Sequence, residues 1–248
     1  MSKIIAISNH KGGVGKTTSV VNIGAGISNE GKKVLLIDLD PQANLSQSLR
    51  VMESDKHIYG SLKGDYALTP IVVTENLHVI PSTLDLSGVE IELSGEAGRE
   101  FILKELLKKV RDSYDYIIID NPPSLGLLTI NSFTASDVVL IPLQAEYLAL
   151  QGLAKLVEVI DKVKSRLNNE LEIGGVFLTQ YDRRKILNKN VLETVEGYFK
   201  DKLFTTRVRN NIALAEAPTQ GVDIFRYDAN SYGAEDYREL SREILQKF

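Results

Sequence analysis

The chain has 248 residues, no cysteine and a formal net charge of −4 at neutral pH. Without cysteine it has no disulfide, no thiolate zinc site, no thiolate nucleophile and no cysteine-ligated iron–sulfur cluster. The overall charge excludes a bulk polycation, so any contact with nucleic acid must come from a local basic patch.

Hydrophobic residues make up 43% and charged residues 25% of the chain, ordinary values for a globular protein. Met1 to Ser8 is a short apolar run that passes straight into a glycine-rich segment, without the h-region and cleavage site of a secretory signal. No run reaches the roughly 20 apolar residues of a membrane span. The expected location is cytoplasmic.

In chain order, short apolar runs predict strands at Ile4–Ser8, Val34–Leu39, Leu77–Ile80, Tyr116–Asp120, Val138–Pro142 and Gly175–Thr179, with a further one near Leu203–Thr206. Between them lie helical patterns. Thr17–Asn29 follows the first run, and Arg99–Arg111 repeats Phe101, Ile102, Leu106 and Val110. Leu150–Leu167 places Leu150, Leu153, Val157, Ile160, Val163 and Leu167 at three- and four-residue steps. Leu187–Phe199 and Ala234–Phe248 complete the set, and Met52–Pro70 reads as an irregular surface excursion. Strands that are continuously apolar and alternate with helices predict an α/β fold, a mostly parallel twisted sheet with helices on both faces. No Pro/Gly/Ser-rich linker divides the chain, so residues 1–248 are expected to form one domain.

Behind the first strand the chain reads Asn9-His10-Lys11-Gly12-Gly13-Val14-Gly15-Lys16-Thr17-Thr18. The ordinary P-loop has glycine five positions before Gly15, where this chain has His10, and it carries a second lysine, Lys11. Glycines let successive backbone N–H groups turn inward around phosphate oxygens, and the following helix adds its positive end. Lys16 is expected to reach the β- and γ-phosphates, and the Thr17 hydroxyl to ligate Mg²⁺. Asp38 and Asp40 end the second strand, and Asp120 ends the run Y-I-I-I-D. In an open parallel sheet ligands bind beyond the carboxyl ends of the strands, so all three acids are expected to point toward the phosphate loop. Loops after the Gly175–Thr179 strand, including Gln180, and around Arg209 fall at the same edge and are the candidates for contacting the base.

Together these segments resemble the ParA/MinD family of deviant-Walker P-loop ATPases, and within it the ParA (Soj-like) partition branch. The resemblance rests on K-G-G-V-G-K-T-T, on V-L-L-I-D-L-D-P-Q-A-N with Ala43 where the family usually has glycine, and on D-N-P-P-S-L-G-L-L-T-I-N with Asn121 where cysteine is common. Q-A-E-Y-L-A-L-Q-G-L, L-T-Q-Y-D and A-L-A-E-A-P-T-Q-G extend it over nearly the whole chain. The resemblance implies ATP and Mg²⁺ as cofactors, held by residues 11–18, and weak intrinsic ATP hydrolysis. It implies an ATP-dependent homodimer in which Lys11 touches the partner subunit's nucleotide. Asp40 would activate the attacking water, Asp38 would support the Mg²⁺ sphere, and Asp120 would hold Mg²⁺ through water. No guanine-type N-K-x-D occurs, which favours ATP over GTP.

The same resemblance implies non-specific DNA binding, nucleoid association and a ParB-like partner for chromosome or plasmid partition. From Tyr181 to Ala213 there are eight basic residues and four acidic ones. Of these, Arg183, Arg184, Lys185, Arg207 and Arg209 are the residues expected to contact DNA. Arg184 matches one DNA-binding arginine of the family, and Ala213 stands where another is expected. The alternative is a MinD-like membrane-associated positioning ATPase. That requires a terminal amphipathic helix rich in Lys and Arg, whereas Tyr237–Phe248 also carries Glu239 and Glu243, so it reads as a helix packed on the domain and no stable membrane association is expected.

Overall fold

The computed structural model describes residues 2–145 and 149–248, without the side chains of residues 149–151, 187, 189 and 190. Residues 146–148 of the Q-A-E-Y-L-A-L-Q-G-L motif, and the side chains of Leu150, Leu187 and Lys189, lie outside the described residues. The strands are β1 (Lys3–Ile7), β2 (Val34–Asp38), β3 (Ile71–Thr74), β4 (Leu77–Ile80), β5 (Tyr116–Asp120), β6 (Val138–Gln144), β7 (Glu172–Tyr181) and β8 (Leu203–Arg209). They form one sheet in the order β3-β4-β2-β5-β1-β6-β7-β8. Every pairing is parallel except that of β3 with β4.

The α-helices are α1 (Lys16–Asn29), α2 (Asn44–Ser48), α3 (Ile58–Lys63), α4 (Val89–Glu92), α5 (Ile102–Lys108), α6 (Leu127–Ala135), α7 (Ala149–Arg166), α8 (Ile186–Phe199), α9 (Ala213–Gln220), α10 (Ile224–Tyr227) and α11 (Tyr232–Lys247). The continuous apolar strands exist because both sheet faces are covered. Successive residues point to opposite faces. Ile5, Ile7, Leu36 and Ile118 pack with α1 and α11, while Leu35, Ile37, Ile117 and Ile119 pack with α5 and α6. Further along the sheet, α7 and α8 cover Val139, Ile141 and Leu178.

All seven expected strands are present, and the one near Leu203 runs on to Arg209. β3 was not expected. It has four residues at the sheet edge, and Val72 there is 66% exposed. A short edge strand with one solvated face carries little apolar signal. The expected excursion Met52–Pro70 contains α3, which buries Ile58 and Leu62. α6 was also unforeseen, because it is buried nearly all round and buries Thr129, Asn131, Ser132 and Thr134 along with its apolar residues, so it has no one-sided periodicity.

α11 buries Tyr237, Leu240 and Ile244 against α1 and the sheet. The Tyr237 hydroxyl lies 3.0 Å from Ser19 Oγ, and burial pushes the phenol well above its ordinary range. The apolar stripe of this helix therefore belongs to the core. Among the described residues no helix is long and apolar enough to cross a membrane.

Candidate functional site

β1 and β5 pair in register from Lys3 with Tyr116 to Ile7 with Asp120, which brings the phosphate loop and Asp120 to one end of the sheet. β2 pairs with β5 so that Asp38 lies beside Asp120. The loop between β1 and α1 is clamped from both sides. The Asn9 side chain donates to the Pro142 carbonyl at 2.7 Å and accepts from the Lys11 N–H at 2.9 Å. Thr179 Oγ1 donates to the Val14 carbonyl and Gln180 Nε2 to the Gly13 carbonyl, each at 2.8 Å. His10 Nδ1 lies 3.0 Å from the Pro123 carbonyl.

Gly13 and Gly15 adopt φ of 74° and 83°, left-handed conformations that cost other residues about 1–2 kcal/mol. A Cβ on Gly12 or Gly13 would meet no atom within 4 Å, so the loop faces open space there. α1 has no capping side chain at Gly15, which leaves its first N–H groups for an anion. The loop, Lys16 and Thr17 form one wall of a cavity of about 440 Å³; Asp40, Asn44 and Ser48 form the other.

Lys16 is buried, and its Nζ donates to the Lys11 carbonyl at 3.2 Å. Desolvation holds its ammonium below the ordinary range, against the opposing pull of Asp120 and Asp40. Thr17 Oγ1 donates to Asp120 Oδ2 at 2.7 Å. Asp120 is fully buried, and its Oδ1 has no hydrogen-bond partner. Burial raises its carboxyl well above the usual range, and the neighbouring Asp38 adds to this. Asp38 is pushed up to about 6 by burial, although Ser46 and the Asp40 N–H hydrogen-bond to it. Two buried carboxylates with one orphaned oxygen, beside a hydroxyl, suit a hydrated dication that neutralises them. Mg²⁺ keeps several waters and takes one or two protein ligands plus phosphate oxygens, so no all-protein cage is required.

Lys11 Nζ donates to Gln144 Oε1 at 3.2 Å, and Gln144 Nε2 donates to Gln180 Oε1 at 2.9 Å. Thr18, Gln180 and Arg209 border a second cavity of about 160 Å³, between the phosphate loop and the start of α9. Val14 is buried beneath the loop. A third cavity of about 650 Å³ lies against the second and is lined by Arg183, Arg184, Arg207 and Arg209 with Tyr181 and Tyr232. Arg184 makes a two-pronged pair with Asp182 at 3.0 Å. Arg209 is held by Asp236 at 2.6 Å and Glu235 at 2.5 Å and lies over the Tyr232 ring. Arg207 lies over the Tyr181 ring, 3.6 Å from Glu196. Arg183 and Lys185 are exposed, and Ala213 is buried at the start of α9.

Of the expected residues, Gly12, Gly13, Gly15, Lys16, Thr17, Thr18 and Asp40 border one cavity, Asp38 and Asp120 are fully buried and do not line it, Lys11 turns to Gln144, and Gln180 and Arg209 border the next. Asn9, Thr179, Asn44, Ser46 and Ser48 were not foreseen. A clamping asparagine or threonine has no spacing rule, because its partner is remote in sequence.

A glycine-rich loop from a strand into a helix, with aspartates on neighbouring strand ends, defines a P-loop nucleotide-binding protein. A family model described as an AAA domain matches residues 2–173. The chain is 49% identical to the sporulation initiation inhibitor protein Soj of Bacillus subtilis, over 98% of each chain. It is 46% identical to the chromosome-partitioning ATPase Soj of Treponema pallidum, over 100% of this chain and 98% of the other. Among solved structures it resembles a cobyrinic acid a,c-diamide synthase of Mycobacterium smegmatis with bound ADP and magnesium, with a TM-score of 0.87 and 34% identity over 99% and 95% of the two chains. It also resembles a plasmid partition protein of Borrelia burgdorferi bound to AMPPNP, with a TM-score of 0.85 and 29% identity over 100% of both. The chain belongs to the Soj/ParA family of partition ATPases.

Proposed function

We propose that this chain drives chromosome or plasmid partition as an ATP-dependent homodimer that binds DNA without sequence preference and is stimulated by a ParB-like protein. It is an ATP hydrolase that uses ATP and Mg²⁺, in keeping with its relatives. The observation that carries the site assignment is the cavity that Lys16, Thr17 and Asp40 line together with the loop glycines, Asp120 being buried and hydrogen-bonded to Thr17.

In this reading residues 12–18 cradle the phosphates, Lys16 neutralises them in cis, and Thr17 holds the metal with Asp38 and Asp120 behind it. When bound, Mg²⁺ supplies charge neutralisation at the β- and γ-phosphates. Asp40 is nearly buried and accepts from the Gln42 N–H at 2.9 Å, which fixes its carboxylate to orient the attacking water. Lys11 leaves Gln144 and reaches the nucleotide of a second copy, so that its charge couples dimerisation to ATP. Gln180 and Arg209 border the space for the base. Arg183, Arg184, Lys185, Arg207 and Arg209 supply the DNA face, and dimerisation doubles it. Phosphates must displace Asp182 from Arg184, and Arg209, tied to Asp236, also lines the cavity beside the phosphate loop.

The membrane alternative loses its support in α11, whose apolar face is packed on α1. The test is co-sedimentation with DNA and with anionic liposomes, with ATP and with ADP, alongside light scattering for the dimer. ATP-dependent scattering with ATP-dependent DNA pelleting is expected. Pelleting with liposomes alone overturns the DNA reading.

A further inference from the structure

Ser46 is fully buried on the inner side of α2. Its hydroxyl donates to Asp38 Oδ2 at 2.6 Å, and its backbone N–H donates to the same oxygen at 2.9 Å. The Ser46 oxygen in turn accepts from the Ser82 N–H at 2.9 Å, just beyond β4. On its other side, Asp38 Oδ1 accepts from the Asp40 N–H at 3.2 Å. One buried chain of hydrogen bonds therefore links three parts of the sheet edge: the end of β2, α2 and the exit of β4.

α2 needs such an anchor. Its N-cap position is Ala43, at φ 53°, with no capping side chain. The Asp38 carboxylate accepts from the third residue of the helix and takes over that task from the strand. A serine hydroxyl can donate once and accept at the same time, and here both capacities are used. The outer side of the same helix carries Asn44 and Ser48, which line the phosphate cavity with Asp40. Whatever fixes α2 against Asp38 also fixes that wall.

We propose that Ser46 is a positioning residue for ATP hydrolysis: by joining Asp38 to the Ser82 backbone it pins α2 and sets Asp40 against the phosphates. This rests on the assignment of the cavity to ATP and of Asp40 to the water. Ser46 touches neither nucleotide nor water, and acts through Asp38.

The experiment compares Ser46→Ala and Ser46→Thr in the full chain. Three quantities are measured: kcat, the affinity for a fluorescent ATP analogue with Mg²⁺, and amide exchange without nucleotide. In Ser46→Ala, kcat is expected to fall about 30-fold or more, as for a small displacement of a reacting group. Affinity stays within about 3-fold, because the loop N–H groups and Lys16 are untouched. The Asp40 and Gln42 amides exchange about 10-fold faster while those of β1 and β5 keep their protection. Ser46→Thr keeps the hydroxyl and restores most of kcat. Wild-type kcat in Ser46→Ala overturns the proposal, as does a fall in kcat matched by equal loosening of β1 and β5. Should the alanine chain not fold, Ser46→Cys, of similar size and a weaker donor, is expected to show the same split at smaller amplitude; wild-type kcat there overturns it. A wild-type chain that fails to bind the analogue removes instead the assignment of the cavity.

Discussion

The phosphate loop and the arginine cluster of β7 and β8 lie at the same end of the sheet but hold their charges differently. Around the loop, Lys16, Asp38 and Asp120 are buried, and each is met by a fixed carbonyl, hydroxyl or N–H. In the cluster, the Arg184 side chain is 86% exposed and meets a carboxylate on the same loop. Buried charges are costly unless geometry and partners are right, so the first region is held to one arrangement, which under the proposed function a nucleotide and its metal complete. Exposed pairs contribute little and exchange readily, so under the proposed function the second trades carboxylates for the phosphates of DNA. Arg209 stands between the two, half-exposed yet locked to Asp236.

If that contrast is right, Lys16→Ala should be the most damaging single change. Removing one partner of a desolvated charge pair costs about 2–5 kcal/mol, so a direct ATP titration should show at least about 30-fold weaker binding. Affinity near wild type would strip Lys16 of its role. Asp40→Ala separates binding from chemistry within the same region. It should bind ATP and dimerise by light scattering but release phosphate about 100-fold more slowly, the usual weight of a positioned base. Normal turnover would remove Asp40 from the mechanism.

A third prediction tests burial itself. The Asp38 carboxyl lies at about 6 in the folded chain against an ordinary 3.8. A folded value above the unfolded one means that the folded state binds more protons between them. The stability contributed by protonated Asp38 is therefore full below about pH 4 and lost as pH rises through about 6. In urea unfolding without nucleotide or Mg²⁺, the wild type should lose stability relative to Asp38→Asn over that window, and the two should run parallel above about pH 7. Curves parallel throughout would show that Asp38 does not titrate there.

The smallest effect belongs to the arginine cluster. Arg184→Ala should weaken DNA binding about equally for unrelated sequences and lower the salt slope by about 0.9 for each phosphate that is no longer neutralised. Ala213→Arg adds a cation where the resemblance leads one to expect an arginine, at a position buried at the start of α9, and is expected to strengthen binding. A salt titration with ATP and with ADP reads both. Equal binding with the two nucleotides would detach the cluster from the dimer.

The parallel strands and the phosphate loop show where sequence is enough. Ile4–Ser8, Val34–Leu39 and Tyr116–Asp120 are apolar on both faces, a pattern that only a sheet covered on both sides requires, and K-G-G-V-G-K-T-T carries its chemistry in its spacing. The placement of Lys16, Thr17, Asp38 and Asp120 was legible because a glycine-rich turn joins β1 to α1 and the two acids end neighbouring strands, with Asp40 two residues further on. What the sequence left open depends on contacts between remote residues. Asn9 meets Pro142, Thr179 meets Val14, and Ser46 joins Asp38 to Ser82. A hydrogen bond across such separations has no period and no motif, and the same residue types elsewhere are ordinary turn formers. The basic segment is the converse case. Its charge was plain from composition, but which arginines are locked and which are exposed was decided by the packing of α11, which sets Asp236 against Arg209 and leaves Arg183 facing solvent.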